Sequence, residues 1–265
     1  MPRLASIHVY PIKACAGVPI DGARVVARGL EYDRRWMVVD EGGAFVTQRD
    51  LPRLALVQPT IEGATLAVSA PGMERLVLPL EPPEGKPVRA RVWRSEVEAL
   101  EHASGSAWLG RALGRRLGLV YMPDGAHRPV SARFAGSGYE VGFADGYPFL
   151  LVSEASLTAL NQRLGTPLAM ARFRPNLVVS GTEPYAEDEW ASFRIGAVAF
   201  RNVKPCDRCS VTTIDPSTGE RGVEPLKTLA TYRRRDGKVW FGVNLVHDSR
   251  GTLGVGSPVE MDPAS

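Results

Sequence analysis

Between residues 4 and 93 seven short segments of strand character follow one another with turn residues between them. They are LASIHVY, VPIDGARVVA, RRWMVVD, GAFVTQ, ATLAVSA, RLVLPL and VRARVW. Short strands at this spacing predict a sandwich or barrel rather than a helical bundle. In the first, alternation puts Leu4, Ser6 and His8 on one face and Ile7 and Val9 on the other. The 27 glycines and 21 prolines supply the turns, and EPPEGKP at 81–87 is the clearest loop. After residue 176 strands return as NLVVSG, SFRIG, AVAFRNV, SVTTI, VWFGVNLV and TLGVGSPVEM. Three helices interrupt them. One spans Gly105 to Gly114 with Trp108, Leu109 and Leu113 apolar. A second is SEASLTALNQRLG, with Ser153 as N-cap, Leu157, Leu160 and Leu164 on one face, and Gly165 as the stop. The third is EPLKTLATYRR. Residues 122–139 lack periodicity and read as a linker or mobile loop. The expected fold is mainly β with a few helices.

A formal charge of +3 is spread along the chain, which suits an anionic small molecule better than a nucleic acid. No stretch reaches the length of a membrane-spanning helix, so no membrane role is expected. Three cysteines (Cys15, Cys206, Cys209) point to a reducing, cytoplasmic setting without a disulfide framework.

KPCDRCSVTTIDPSTG at 204–219 holds Cys206 and Cys209 in a C-x-x-C. A redox dithiol needs a helix after its first cysteine, and SVTTI reads as a strand. A structural zinc site needs four ligands, and the four histidines have no matching spacing. A four-cysteine iron–sulfur cluster exceeds three cysteines. The dithiol and zinc readings stay open behind two that fit the residues better. The thiols are buried and structural, or one thiolate ligates a metal whose other ligands come from a cofactor. Lys204, Asp207 and Arg208 oppose full burial, and the two cations would stabilise a thiolate.

The segments YPIKACAGVPI, LEYDRRWMVVD, FADGYPFLLVSEASLTALNQRL, ARFRPNLVVSG, YAEDEW, KPCDRCSVTTIDPSTGE and FGVNLV, in this order, resemble those of MOSC-domain proteins. The resemblance covers nearly the whole chain. It is nearest to the group holding the mitochondrial amidoxime-reducing component and its bacterial relatives. It implies an N-terminal β-barrel-like domain over 1–120 and a MOSC β-barrel over 121–265. It also implies a molybdenum cofactor (molybdopterin) and reduction of N-hydroxylated or N-oxygenated small molecules. Electrons would come from a separate donor, a flavoprotein, a ferredoxin or a cytochrome b5-like protein. A non-catalytic carrier of the cofactor or of sulfur is the alternative. Pyridoxal phosphate binding is a further family-level label.

By the same resemblance Cys209 is the molybdenum ligand. Lys13, Arg34, Arg174, Asn176, Asp207, Arg208 and Asn244 hold the cofactor, and Asp145 lies near the metal. Ala14 and Tyr147 depart from the pattern where relatives carry hydroxyl residues, which removes two donors. The residue types suit the chemistry. Planar guanidinium forks bind phosphate, and Arg174 sits in a proline-restricted backbone before a strand. Reducing N–OH to N–H needs a proton donor near the metal, for which Asp145 is the candidate. Cys206 and Cys15 are expected to be structural, Trp36 and Trp190 to be core, and Asp215 to lie in a turn.

Overall fold

The computed structural model describes residues 1–262. Its longest sheet runs, in spatial order, through Val259–Met261, Ser192–Ile195, Val198–Asp207, Lys238–His247, Phe149–Ser153, Leu177–Ser180, Arg3–Val9 and Val18–Ile20. Arg234–Arg235 pairs beside Lys238–His247. Only Phe149–Ser153 and Leu177–Ser180 run parallel among these pairs. The helix Glu154–Asn161 lies in the crossover a parallel pair requires. A four-stranded sheet joins Trp36–Val39, Gly118–Tyr121, Ser95–Glu101 and Lys86–Val92. Two three-stranded sheets complete the fold. The fold is mainly β, as expected, but its strands pair as open sheets, not closed barrels.

Two main cores result. Trp36, Val38, Leu66, Leu78, Trp108 and Leu109 fill one. Leu4, Ile7, Phe149, Leu177, Phe200 and Leu245 fill the other. The first strand of the chain therefore lies in the sheet built mostly from its second half. Trp190 packs partly buried on Phe193, with ring centroids 5.2 Å apart.

Several expectations change. A register shift between Leu4 and Ser6 puts Leu4 in the same core as Ile7 and Val9; a bulge re-aims side chains that strict alternation would separate. GAFVTQ is no strand and makes only isolated bridges at Ala44 and Phe45. Ser153 does cap its helix, accepting from Ser156 N–H at 3.0 Å. That helix stops at Asn161, short of Gly165, because the Asn161 amide exchanges hydrogen bonds with the Leu168 backbone at 2.9 and 3.0 Å.

SVTTI is not a strand either. Ser210–Thr213 is a 3-10 turn. Thr212 and Thr213 hydroxyls donate to the carbonyls of Cys209 and Ser210 at 2.9 and 2.8 Å, a local bond that outweighs β-branched preference.

Residues 122–139 are pinned by three buried arginines. Arg28 donates to the carbonyls of Pro123, Asp124 and Ala126. Arg35 donates to Met122 O and to the Asp124 carboxylate. Arg128, from within the segment, donates to Gly142 O at 2.7 Å, Ala144 O at 2.5 Å and Asp145 O at 3.1 Å. Burial lowers the Arg128 pKa to about 10, so it stays protonated at neutral pH. Arg128→Met strips donors from three carbonyls, and should cost about 2–4 kcal/mol in urea denaturation.

Candidate active site

A cavity of about 160 Å³ opens where the two halves of the chain meet. Its wall includes Lys13, Arg34, Asp145, Arg174, Asp207, Arg208, Cys209 and Asn244. Eight of the nine site residues expected from sequence are thus brought together. Asn176 is not on the wall. It is 1% exposed and holds the wall from behind. Its Oδ1 accepts from Arg34 Nη1 at 2.8 Å, and its Nδ2 donates to His8 O at 3.1 Å.

The cations are held in unusual backbone. Arg34 and Arg174 have φ of 47° and 56°, and Ala14, beside Lys13, has 68°. Such conformations in non-glycine residues cluster where function over-determines the structure. Arg174 is therefore left-handed, not extended as its following proline predicts. It closes a 3-10 turn through Ala171 O, and its Nη1 donates to Cys15 O at 2.6 Å. Gly142 fits beneath Arg34 because a Cβ there would lie 2.9 Å from Arg34 O.

Tyr10, not among the site residues expected from sequence, supports both arginines. The guanidinium carbons of Arg34 and Arg174 lie 4.3 and 4.4 Å from its ring centroid. Its hydroxyl donates to Pro175 O at 3.0 Å, and burial pushes its pKa up to about 12. The Tyr10 backbone N–H donates to Asp33 at 2.9 Å, and Arg34 Nη1 donates to the same carboxylate at 2.6 Å. Burial raises the Asp33 pKa while Arg34 opposes the rise.

Two bulges, after Asn202 and after Pro205, shape the end of the strand that carries Cys206 and leads into Cys209. Cys206 and Cys209 are half-buried, whereas Cys15 is fully buried and its thiol is pushed up to about 12 by burial. Arg208 Nη1 donates to Cys206 Sγ at 3.1 Å, and Nη2 donates to Phe173 O at 2.7 Å. Lys204 reaches neither sulfur. It lies against the rings of Phe134 and Trp240, at 5.1 and 5.9 Å. The cation at Cys209 is instead Arg49, whose Nη2 donates to Sγ at 3.1 Å. Sequence reading missed Arg49. The local signal was Thr47 and Asp50, whose hydrogen-bonded turn presents it.

Asp145 sits at the mouth with its side chain 57% exposed. Lys13 Nζ donates to its Oδ1 at 2.5 Å, and Trp93 Nε1 donates to the same oxygen at 3.3 Å. Partial desolvation by the surrounding wall tends to raise its pKa. Lys13, then Arg49 and the Trp93 bond, outweigh this and hold the carboxyl well below the usual carboxylate range. Burial lowers the Lys13 pKa, and Asp145 opposes that. Asp145 is therefore ionised at neutral pH, accepts hydrogen bonds, and has no proton of its own to donate.

A depressed folded-state pKa contributes stability that is present above the ordinary value of 3.8 and lost as pH falls below it. Asp145→Asn should therefore flatten the loss of stability between about pH 4 and pH 2, read by denaturation at stepped pH.

The donor set fits a bound anion. Arg208 Nε is buried without a hydrogen-bond partner among the described residues. Arg34 and Arg174 each commit a single nitrogen, Nη1, to the hydrogen bonds found among the described residues. No group of three or more His, Cys, Asp or Glu side chains among the described residues could hold a metal alone. A metal beside Cys209 would take its remaining ligands from a bound group.

A MOSC N-terminal beta barrel domain matches residues 1–116, and a MOSC domain matches residues 138–260. Mitochondrial amidoxime-reducing component 1 of Mus musculus is 38% identical over 97% of this chain and 81% of its own length. The Homo sapiens protein of that name is 38% identical over 97% and 82%. That of Danio rerio is 38% identical over 97% and 83%. No helix among the described residues is long and apolar enough to cross a membrane. With two matched MOSC domains, and relatives this similar over most of both chains, the protein belongs to the MOSC-domain family of the amidoxime-reducing components.

Proposed function

We propose that this protein is a molybdenum-cofactor oxidoreductase that reduces N-hydroxylated compounds with electrons from a separate donor protein. The observation that carries the reading is the cavity itself. Two half-buried cysteines, Cys206 and Cys209, share it with Lys13, Arg34, Arg174 and Arg208, four cations suited to a pterin phosphate, and the family motif assigns the metal to Cys209. The names of the relatives support the substrate class.

The reaction N–OH + 2e⁻ + 2H⁺ → N–H + H₂O fixes what each part must do. The cofactor, when bound, supplies the electron pair at a metal that takes Cys209 sulfur as ligand. The chain binds, orients and protonates. Arg34, Arg174 and Arg208 would hold the phosphate and Asn244 the pterin. Asp207 lies at the rim, 3.8 Å from Lys238. The proton source we propose is the Lys13 ammonium, which Asp145 holds in place at 2.5 Å, because the ionised carboxylate carries no proton of its own at neutral pH. The donor is a flavoprotein, a ferredoxin or a cytochrome b5-like protein. Three free thiols suit a reducing compartment such as the cytoplasm.

The test is turnover of benzamidoxime by protein purified from a cofactor-competent host, with a chemical or flavoprotein reductant. Formation of benzamidine in proportion to bound molybdenum supports the reading. Full metal loading without turnover contradicts it and leaves a carrier.

A further inference from the structure

Trp93 is the first residue of a two-residue hairpin turn, since Val92 pairs with Ser95. Its φ is 54°, in a position where glycine or asparagine is usual. It is also 50% exposed, an unusual state for the largest apolar side chain. Nothing in the hairpin itself calls for this residue.

Its surroundings do. The indole Nε1–H donates to Asp145 Oδ1 at 3.3 Å, Phe45 packs at 4.9 Å between ring centroids, and the Arg49 guanidinium lies 5.2 Å from the ring. Arg49 in turn donates to Cys209 Sγ at 3.1 Å. The indole thus stands beside two residues of the cavity wall, Asp145 and Arg49, two contacts from the sulfur, without being part of that wall itself. Asp145 Oδ1 is taken by Lys13 and Trp93. Its Oδ2 makes no hydrogen bond among the described residues, and lies 3.9 Å from Arg49.

We infer that Trp93 is a substrate platform, and that the site prefers flat aromatic N-hydroxyamidines, whose ring packs on the exposed indole while an amidine N–H donates to Asp145 Oδ2. This inference rests on the reductase reading and names its substrate class. An aliphatic N-hydroxyamidine can make the same bond to Asp145 but has no ring to stack.

The experiment is calorimetric titration of metal-loaded protein with benzamidoxime and with acetamidoxime, for wild type, Trp93→Gly and Trp93→Phe. Glycine suits the turn's backbone, so removing the ring should leave the fold intact, which a cooperative melting curve checks. Trp93→Gly should weaken benzamidoxime about three- to tenfold and acetamidoxime less than about twofold. Trp93→Phe should keep most of the aromatic preference. A purely structural Trp93 would lower both ligands together. Equal losses, unchanged benzamidoxime binding in Trp93→Gly, or no benzamidoxime binding by wild type overturn the platform. Turnover by the same preparations is read separately. Binding with the predicted ratio but no product from either ligand contradicts the reductase reading and leaves the platform supported.

Discussion

Cys209→Ser should reduce benzamidoxime turnover to the level of metal-free protein. Oxygen is a harder ligand than sulfur, so the substitution changes the electronic character of the metal it binds. Even changes one layer beyond the ligands typically cost about 10–100-fold, and loss of a ligand should exceed that. The structure explains why the neighbouring thiol should behave differently. Cys206 is bonded by Arg208, which also ties down Phe173 O; Cys209 is bonded by Arg49, which reaches in from the other half of the chain. Cys206→Ser should therefore cost less than about tenfold, because serine can still accept from Arg208. Turnover per protein, measured on both variants side by side, checks the order. The reverse order would move the ligand assignment to Cys206.

Arg174→Ala should strip the cofactor from the protein. Each charge-assisted hydrogen bond lost is worth about 1.5–3 kcal/mol, or roughly 10- to 150-fold in affinity. The alanine would also sit at a φ of 56°, which it adopts only under strain. The molybdenum-to-protein ratio after extended dialysis reads the effect, and Arg174→Lys separates charge from geometry. Lysine restores one cation without the planar fork, so it should recover only part of the metal content. An unchanged ratio in Arg174→Ala would remove Arg174 from the phosphate contacts.

How much of this was legible in the sequence follows from how local each signal is. Lys13, Arg34, Asp145, Arg174, Asp207, Arg208, Cys209 and Asn244 were reached through family motifs, and all eight line one cavity. Composition and periodicity alone had left the cysteine pair between a buried and a ligating role. Ser153 was legible as a cap because capping is settled within three residues.

What escaped was set by distant partners. Arg49 looks like any surface arginine until the fold brings it to Cys209, 160 positions away in sequence. Arg128 sits in a stretch without periodicity, and its order comes from carbonyls 14 to 17 residues on. Tyr10 looked like the end of a strand, and only the tertiary fold stacks Arg34 and Arg174 on it. Asp145 was expected to donate a proton because its motif places it near the metal. Its ionised state depends on Lys13, 132 positions earlier, which no local pattern reveals. The SVTTI segment failed for the opposite reason. Its β-branched residues favour a strand, but the Thr212 and Thr213 hydroxyls satisfy the backbone in place of a neighbouring strand.

X-ray absorption at the molybdenum edge, on wild-type and Cys209→Ser protein from the same cofactor-competent host, counts the sulfur atoms bonded to the metal. The account predicts one sulfur fewer in the variant, whereas an identical sulfur count in the two proteins would contradict it.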